Sequence, residues 1–287
     1  MKLFLTLAVQ TLLFFSLVSP SFSEEIEWTG CGIIKKSFMH ELSIAFEKKT
    51  GIKITITGGG ATKGIRSVSA GNTHVGGSCR GHLNTVDGVP VLEEEGAVLV
   101  HVAWGALVVI VNPANNVGNI SLEQLKDVFD GKITSWKELG GIEKKIALIV
   151  RDGKISGVGH MFRQMVFNDP EYEFKARSLK VKSTSPLEQK VERFKTAMAI
   201  DGIGSALKRQ VKILQVNGVE PRKENIVAGK YPLFRPLYLV KRTGENSPTI
   251  NKFIDFALSP EGQAVIANEQ AVNLREGELL EKLWNNR

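Results

Sequence analysis

Three glycine-rich turns, each placed where an extended apolar segment gives way to helical periodicity, constrain this chain more than any other feature. They are Thr29-Gly30-Cys31-Gly32, Thr57-Gly58-Gly59-Gly60-Ala61-Thr62 and Gly153 to Gly159. Strand, glycine turn, helix, repeated, is the pattern of βαβ units on a largely parallel sheet. The first amides of a helix have no intrahelical acceptor and stand at the positive end of the helix dipole. A turn of this kind therefore stabilises an anion without any charged side chain. One such turn says little, because glycine also serves simple turns; three converging on one cleft would make an anion cage.

The hydrophobic periodicity fills in the rest. Ile26 to Gly32 reads as a strand, Ser37 to Lys49 as a helix with Phe38, Leu42, Ala45 and Phe46 inward, and Ile52 to Thr57 as a strand before the helix Ala61 to Ala70. Ala97 to Val111 is a long apolar stretch, read either as two buried strands or as one strand crossing between lobes. Leu122 to Phe129 is a helix closed by Asp130-Gly131, Ile146 to Val150 a strand, and Gly159 to Val166 a helix. An irregular stretch around Lys180 to Pro186 precedes a helix over Leu187 to Ala197 and strands near Ile213 and Leu237. Helices follow at Pro248 to Leu258 and Glu261 to Glu269. With 287 residues and 43% hydrophobic content, the chain has material for two α/β lobes, each with its own core.

The compartment is read from the first residues. Met1-Lys2 precedes an apolar run from Leu3 to Val18, then Pro20, Ser21 and Ser23. This is the layout of a cleavable signal peptide over residues 1–23, and it predicts export to the periplasm. Cys31 lies well downstream of the apolar core, so no lipid-anchor motif is read there. Lys and Arg outnumber Asp and Glu by 37 to 30, a formal charge of +7 that loss of Lys2 lowers by one. Such a balance favours anionic partners. The excess is spread thinly and no basic-aromatic stripe stands out, so nucleic acid is not expected as a partner.

At this point several segments together resemble one family. Lys126-Asp-Val-Phe-Asp-Gly-Lys-Ile-Thr-Ser-Trp136 with Leu139-Gly140-Gly141, Gly229-Lys-Tyr-Pro-Leu-Phe-Arg-Pro-Leu-Tyr-Leu239 with Glu220-Pro221 and Glu224-Asn225-Ile226 before it, and Ser259-Pro-Glu-Gly-Gln263 are similar, in order, to the phosphate-type, PstS-like periplasmic substrate-binding proteins of ABC transporters. The resemblance implies a two-lobed periplasmic binding protein fold of type II-like architecture, with crossing strands as hinge and a ligand cleft between lobes. It implies a discontinuous first lobe, residues 24–105 plus 237–287, and a second lobe, residues 106–236. It also implies capture of phosphate or a related inorganic oxyanion by a monomer, without cofactor. The partner would be an ABC permease or a periplasmic sensor domain.

The resemblance places ligand contacts at Cys31 and Gly32, at Ala61 and Thr62, at Cys79 and Arg80, and at Arg151 with Ser156, Gly157 and Val158. Arg151 is the expected clamp, since a guanidinium fork matches two oxyanion oxygens. Three positions depart from the family pattern. Ala61 stands where a hydroxyl is expected, Val158 where Thr is usual, and Cys79 where Asp or Ser is usual; a thiol accepts hydrogen bonds weakly, which puts phosphate specificity in question. Cys31 and Cys79 both fall on ligand loops of one lobe. They are open to three readings: a disulfide suited to an oxidising compartment, two inert thiols, or a soft-ligand set with His82 for a thiophilic metal or arsenite-like oxyanion. The last reading makes the protein a sensor or accessory binder.

His160, at the start of a helix, could reach the cleft as an imidazolium or face solvent. His40, His74 and His101 read as structural, Trp104 and Trp136 as core or hinge aromatics, and Lys35-Lys36 and Lys144-Lys145 as solvated faces or a basic rim. An enzyme is not expected, for there is no Gly-x-Ser-x-Gly elbow, no His-Glu-x-x-His helix and no Gly-Lys-Ser/Thr ending to the Gly58–Gly64 loop.

Overall fold

The computed structural model describes residues 25–287; the signal-peptide reading of residues 1–23 lies outside them. Eleven strands follow in chain order: β1 (Glu25–Gly30), β2 (Lys53–Gly58), β3 (Val75–Ser78), β4 (Ala97–Val111), β5 (Asn119–Ile120), β6 (Ala147–Arg151), β7 (Leu179–Val181), β8 (Ala197–Gly202), β9 (Lys212–Ile213), β10 (Gln215–Val216) and β11 (Phe234–Arg242). Nine of them form one sheet of order β2-β1-β3-β11-β4-β8-β6-β7, with β9 also on β4, while β5 and β10 pair separately. The β2-β1-β3 and β8-β6-β7 groups are parallel. Strands β11 and β4 run antiparallel to their neighbours.

Strand β4 makes the architecture. Its 15 residues, extending about 50 Å, pair with β11 over Ala97 to Ala106 and with β8 over Leu107 to Val111. The long apolar stretch is thus one crossing strand. Two half-sheets hang on it, and every residue from Val102 to Val111 is buried, as expected for strands covered on both faces. Helices Ala61–Ser69, Gly157–Phe167 and Thr184–Arg193 pack on the half-sheets.

One close approach fixes where a helix begins. A Cβ at Gly64 would lie 2.8 Å from the Gly77 carbonyl oxygen and 2.9 Å from that of Thr29. The absence of a side chain there lets the Ala61–Ser69 helix rest on the backbones of β1 and β3, and its first turn comes up at their carboxyl ends. The opening helix runs from Gly32, five residues earlier than its apolar spacing suggested. Gly32–Ile34, Lys35–Met39 and His40–Thr50 follow one another, the middle segment as a π turn, and Phe38, Leu42 and Phe46 are buried as expected. Trp104 and Trp136 are core residues.

The stretch around Lys180 to Pro186 is not irregular. It holds β7 and the start of the helix Thr184–Arg193, and Ala197 begins the buried strand β8 instead of ending a helix. Ser183 and Pro186 mark that helix start, Ser as N-cap and Pro in the first turn, where its missing N–H costs nothing. No helix among the described residues is long and apolar enough to cross a membrane.

Candidate functional site

At the carboxyl ends of β1, β2 and β6, a cavity of about 290 Å³ opens between the two half-sheets. It is lined by Cys31, Gly32, Lys35, Lys36, Gly58 to Ala61, Cys79, Arg151, Gly157, Val158 and Ser183 to Ser185. Four helix N-termini meet there: Gly32, Ala61, Gly157 and Thr184 begin helices whose N-cap residues are Cys31, Gly60, Ser156 and Ser183. The caps of three of these helices, Cys31, Gly60 and Ser183, give their first turns no side-chain hydrogen bond. Elsewhere, Ser121, Ser247 and Ser259 cap their helices in the ordinary way. The site thus keeps amide donors free of side-chain acceptors where the helix dipoles converge. Gly60 turns the chain into its helix with φ of 93°, a backbone state that an L side chain rarely adopts.

The charged side chains on the lining are Lys35, Lys36 and Arg151, and no carboxylate is among them. Arg151 is held from behind, with Nη2 donating to the Lys182 carbonyl at 2.7 Å and Nη1 to Thr184 Oγ1 at 3.2 Å. Its Nε has no partner. Burial lowers the pKa of this guanidinium and the charge of Asp201 opposes that shift. Lys36 pairs at 2.5 Å with Glu188, a fully buried carboxylate that also accepts from Ser205 and lies 3.3 Å from Arg209 Nε. Behind them Asp201 is fully buried, and burial first, then Glu188, drives its carboxyl well above the usual range. Lys35 and Lys36, read from the sequence as a solvated face or a basic rim, come to the site because the first helix starts at Gly32.

Cys31 and Cys79 form a disulfide, with Cα atoms 6.3 Å apart. This corrects two of the three readings of the pair. Neither sulfur is a free thiol, and the soft-ligand set of Cys31, Cys79 and His82 does not exist. Among the described residues no group of three His, Cys, Asp or Glu is placed to hold a metal ion.

Several expected contacts lie beside the cavity instead of on it. Arg80 is fully buried and spent: it binds both oxygens of Glu94 at 2.9 and 2.6 Å, the Gly81 carbonyl at 2.7 Å, Thr62 Oγ1 at 3.1 Å and the Ile155 carbonyl at 3.1 Å. Thr62 donates its hydroxyl to the same Ile155 carbonyl at 2.6 Å. The two residues fasten the Gly153–Gly159 loop to the opposite half-sheet, and neither is on the cavity lining. Ser156 Oγ accepts from Gly159 N at 3.1 Å, capping its own helix. His82 Nδ1 sits 3.8 Å from Glu94, too far for a hydrogen bond. His160 is buried, not solvent-facing. Burial first, then the positive Arg80, lowers its pKa to about 4; it is neutral near pH 7 and adds no charge to the cleft.

Arg235, in the quoted Tyr-Pro-Leu-Phe-Arg-Pro segment, was singled out by no chemical motif. Its buried Nη1 donates to the carbonyls of Cys79 at 2.9 Å and Gly157 at 3.0 Å. One guanidinium nitrogen thereby ties together two walls of the cavity, and burial lowers its pKa.

A crossing-strand α/β fold whose uncapped helices converge on a cationic cleft is that of the two-lobed periplasmic binding proteins. The chain belongs to the PBP superfamily: the model of the PBP superfamily domain matches residues 35–261. Among curated relatives, the phosphate-binding protein PstS of Borreliella burgdorferi is 29% identical over 189 residues, covering 63% of this chain and 68% of that protein. PstS of Bacillus subtilis is 26% identical over 226 residues, with coverages of 78% and 72%. Among solved structures, one from Clostridium perfringens, assigned as a phosphate ABC transporter substrate-binding protein and holding phosphate, superposes with a TM-score of 0.75 at 26% identity. It covers 88% of this chain and 100% of its own. Within that superfamily the relatives and the structure named here, to which the chain is similar, are phosphate-binding proteins.

Proposed function

We propose that this chain is an exported solute-binding protein that captures phosphate or a related inorganic oxyanion and delivers it to an ABC importer. The observation that carries the reading is the cavity itself: four helix N-termini and three cationic side chains, with no carboxylate on the wall. The relatives named as phosphate-binding proteins support the choice of anion. The fold would work as two lobes, residues 24–105 plus 237–287 and residues 106–236, hinged on β4 and β11. Amides of Gly32 and Ala61 come from one side, and those of Gly157, Val158 and Thr184 with Arg151 from the other. The anion receives its full set of donors only when the sides meet, so binding shifts the equilibrium toward closure. The protein acts as a monomer, and the closed surface is what the permease reads.

Thermal unfolding of the mature protein with phosphate, arsenate, sulfate, molybdate or arsenite tests this. A bound anion at a hundredfold its Kd adds about 2.7 kcal/mol to native stability. A rise in Tm with tetrahedral oxyanions is expected. No rise with any of them would overturn the reading.

A further inference from the structure

We infer that the cavity takes tetrahedral oxyanions as dianions and admits proton-free ones, of the sulfate and molybdate type, alongside phosphate. The inference rests on the oxyanion reading above and concerns the lining's hydrogen-bond polarity. Everything charged on the wall is a donor: Lys35, Lys36 and Arg151. The first-turn amides are donors as well. The remaining side chains are Ala61, Val158, the Cys31–Cys79 disulfide and the hydroxyls of Ser183, Thr184 and Ser185. No carboxylate, imidazole or carboxamide lines the cavity among the described residues.

No acid is on the lining, Asp152 next to Arg151 in the chain included. Glu188 faces Lys36, Arg209 and Ser205, and Asp201 lies fully buried behind the wall. His160, a turn into the Gly157–Phe167 helix, and the Arg80–Glu94 pair likewise stand outside the lining. A carboxylate on such a wall would act in two ways: it would accept from a protonated oxygen, and it would repel a bare one. Both effects favour phosphate over sulfate, and both are missing here.

The hydroxyls are neutral in this respect. Thr184 Oγ1 accepts from Arg151 and so turns its own proton elsewhere, while a serine hydroxyl rotates to give or to accept. They can serve the single proton of the hydrogenphosphate dianion without penalising an anion that has none. The dihydrogenphosphate monoanion brings two O–H groups to a wall of donors. It leaves donors unpaired in a desolvated site, a costly arrangement.

Calorimetric titration of the mature protein with phosphate and with sulfate, at pH 6 and pH 8, tests the inference. Sulfate keeps its charge across this range, so protein titrations shared by the two ligands cancel in the ratio of their affinities. At pH 8 sulfate should bind within about a hundredfold of phosphate, the span expected when no buried acceptor discriminates. The phosphate-to-sulfate ratio should rise about tenfold from pH 6 to pH 8, following loss of one proton from free phosphate near neutrality. Sulfate weaker than that span, or a ratio flat with pH, overturns the inference and leaves an oxyanion-binding protein. Failure of both anions to bind overturns the oxyanion reading itself.

Discussion

Gly157 is a point of close approach between the two sides of the cleft, and Gly157→Ala separates a closing cleft from a permanently packed one. A Cβ at this position would lie 2.5 Å from Cys79 Sγ and 2.9 Å from Ala61 Cβ. Neither neighbour is a flexible side-chain end: one is a disulfide sulfur, the other the first residue of a helix. The contact must open by close to 1 Å, and overpacking of that kind costs about 1–3 kcal/mol. If the clash arises only in the closed form, the whole penalty falls on anion binding, a loss of about 5- to 150-fold in affinity. The unliganded protein should be no less stable, because alanine favours a helical position over glycine by up to about 1 kcal/mol. Phosphate titration by calorimetry, paired with thermal unfolding without anion, reads both quantities. An affinity within twofold of the parent would refute the reasoning. A lowered Tm with unchanged affinity would show that the contact belongs to the resting fold.

Arg151→Ala should weaken phosphate binding by about 10- to 150-fold, the range for a hydrogen bond to a charged group, with Tm in the absence of anion little changed; equilibrium dialysis checks the first and a melting curve the second. Replacing both Cys31 and Cys79 with Ser should lower stability by up to about 4 kcal/mol, from the chain entropy of a loop with sequence separation 48, measured as the shift in urea midpoint under oxidising conditions. Glu94 supplies a pH signature. Burial raises its pKa, but the hydrogen bonds and charge of Arg80 and the Leu83 amide outweigh it and bring the value to about 2. A carboxyl held below its unfolded value of 4.5 contributes stability that is complete above that value and lost as pH falls toward 2. Glu94→Gln should be less stable at pH 7 and show a flatter decline in stability between pH 4.5 and pH 2, followed by denaturant unfolding at stepped pH.

The sequence carried the site unevenly, for physical reasons. Glycines and the strands before them are local signals, so the turns at Gly32, Gly58–Gly60 and Gly157 were legible, and all line one cavity. Arg151, which the resemblance named as the clamp, is on the lining too. Ser183–Ser185 was not: three small polar residues before a proline look like a loop until the helix behind them packs on β8. Lys35 and Lys36 stood between a solvated face and a basic rim, because helical spacing starts the helix too late: Gly32, Ile33 and Ile34 carry no amphipathic pattern. Arg80 and Thr62 were assigned to the ligand by the resemblance. What diverts them is a pair of distant partners, Glu94 and the Ile155 carbonyl, that no spacing along the chain predicts. The disulfide was one reading among three, since two cysteines 48 residues apart pair only if β1 and β3 lie side by side, as they do.

The central claim is that uncapped helix ends from both half-sheets meet around one anion. The most direct measurement is the position of the anion itself, found by anomalous diffraction from crystals grown with molybdate. The account predicts one peak in the cavity, within hydrogen-bond reach of first-turn amides of the Gly32, Ala61, Gly157 and Thr184 helices and of the Arg151 guanidinium. A peak held by surface lysines alone, or an empty cavity at saturating anion, would contradict it.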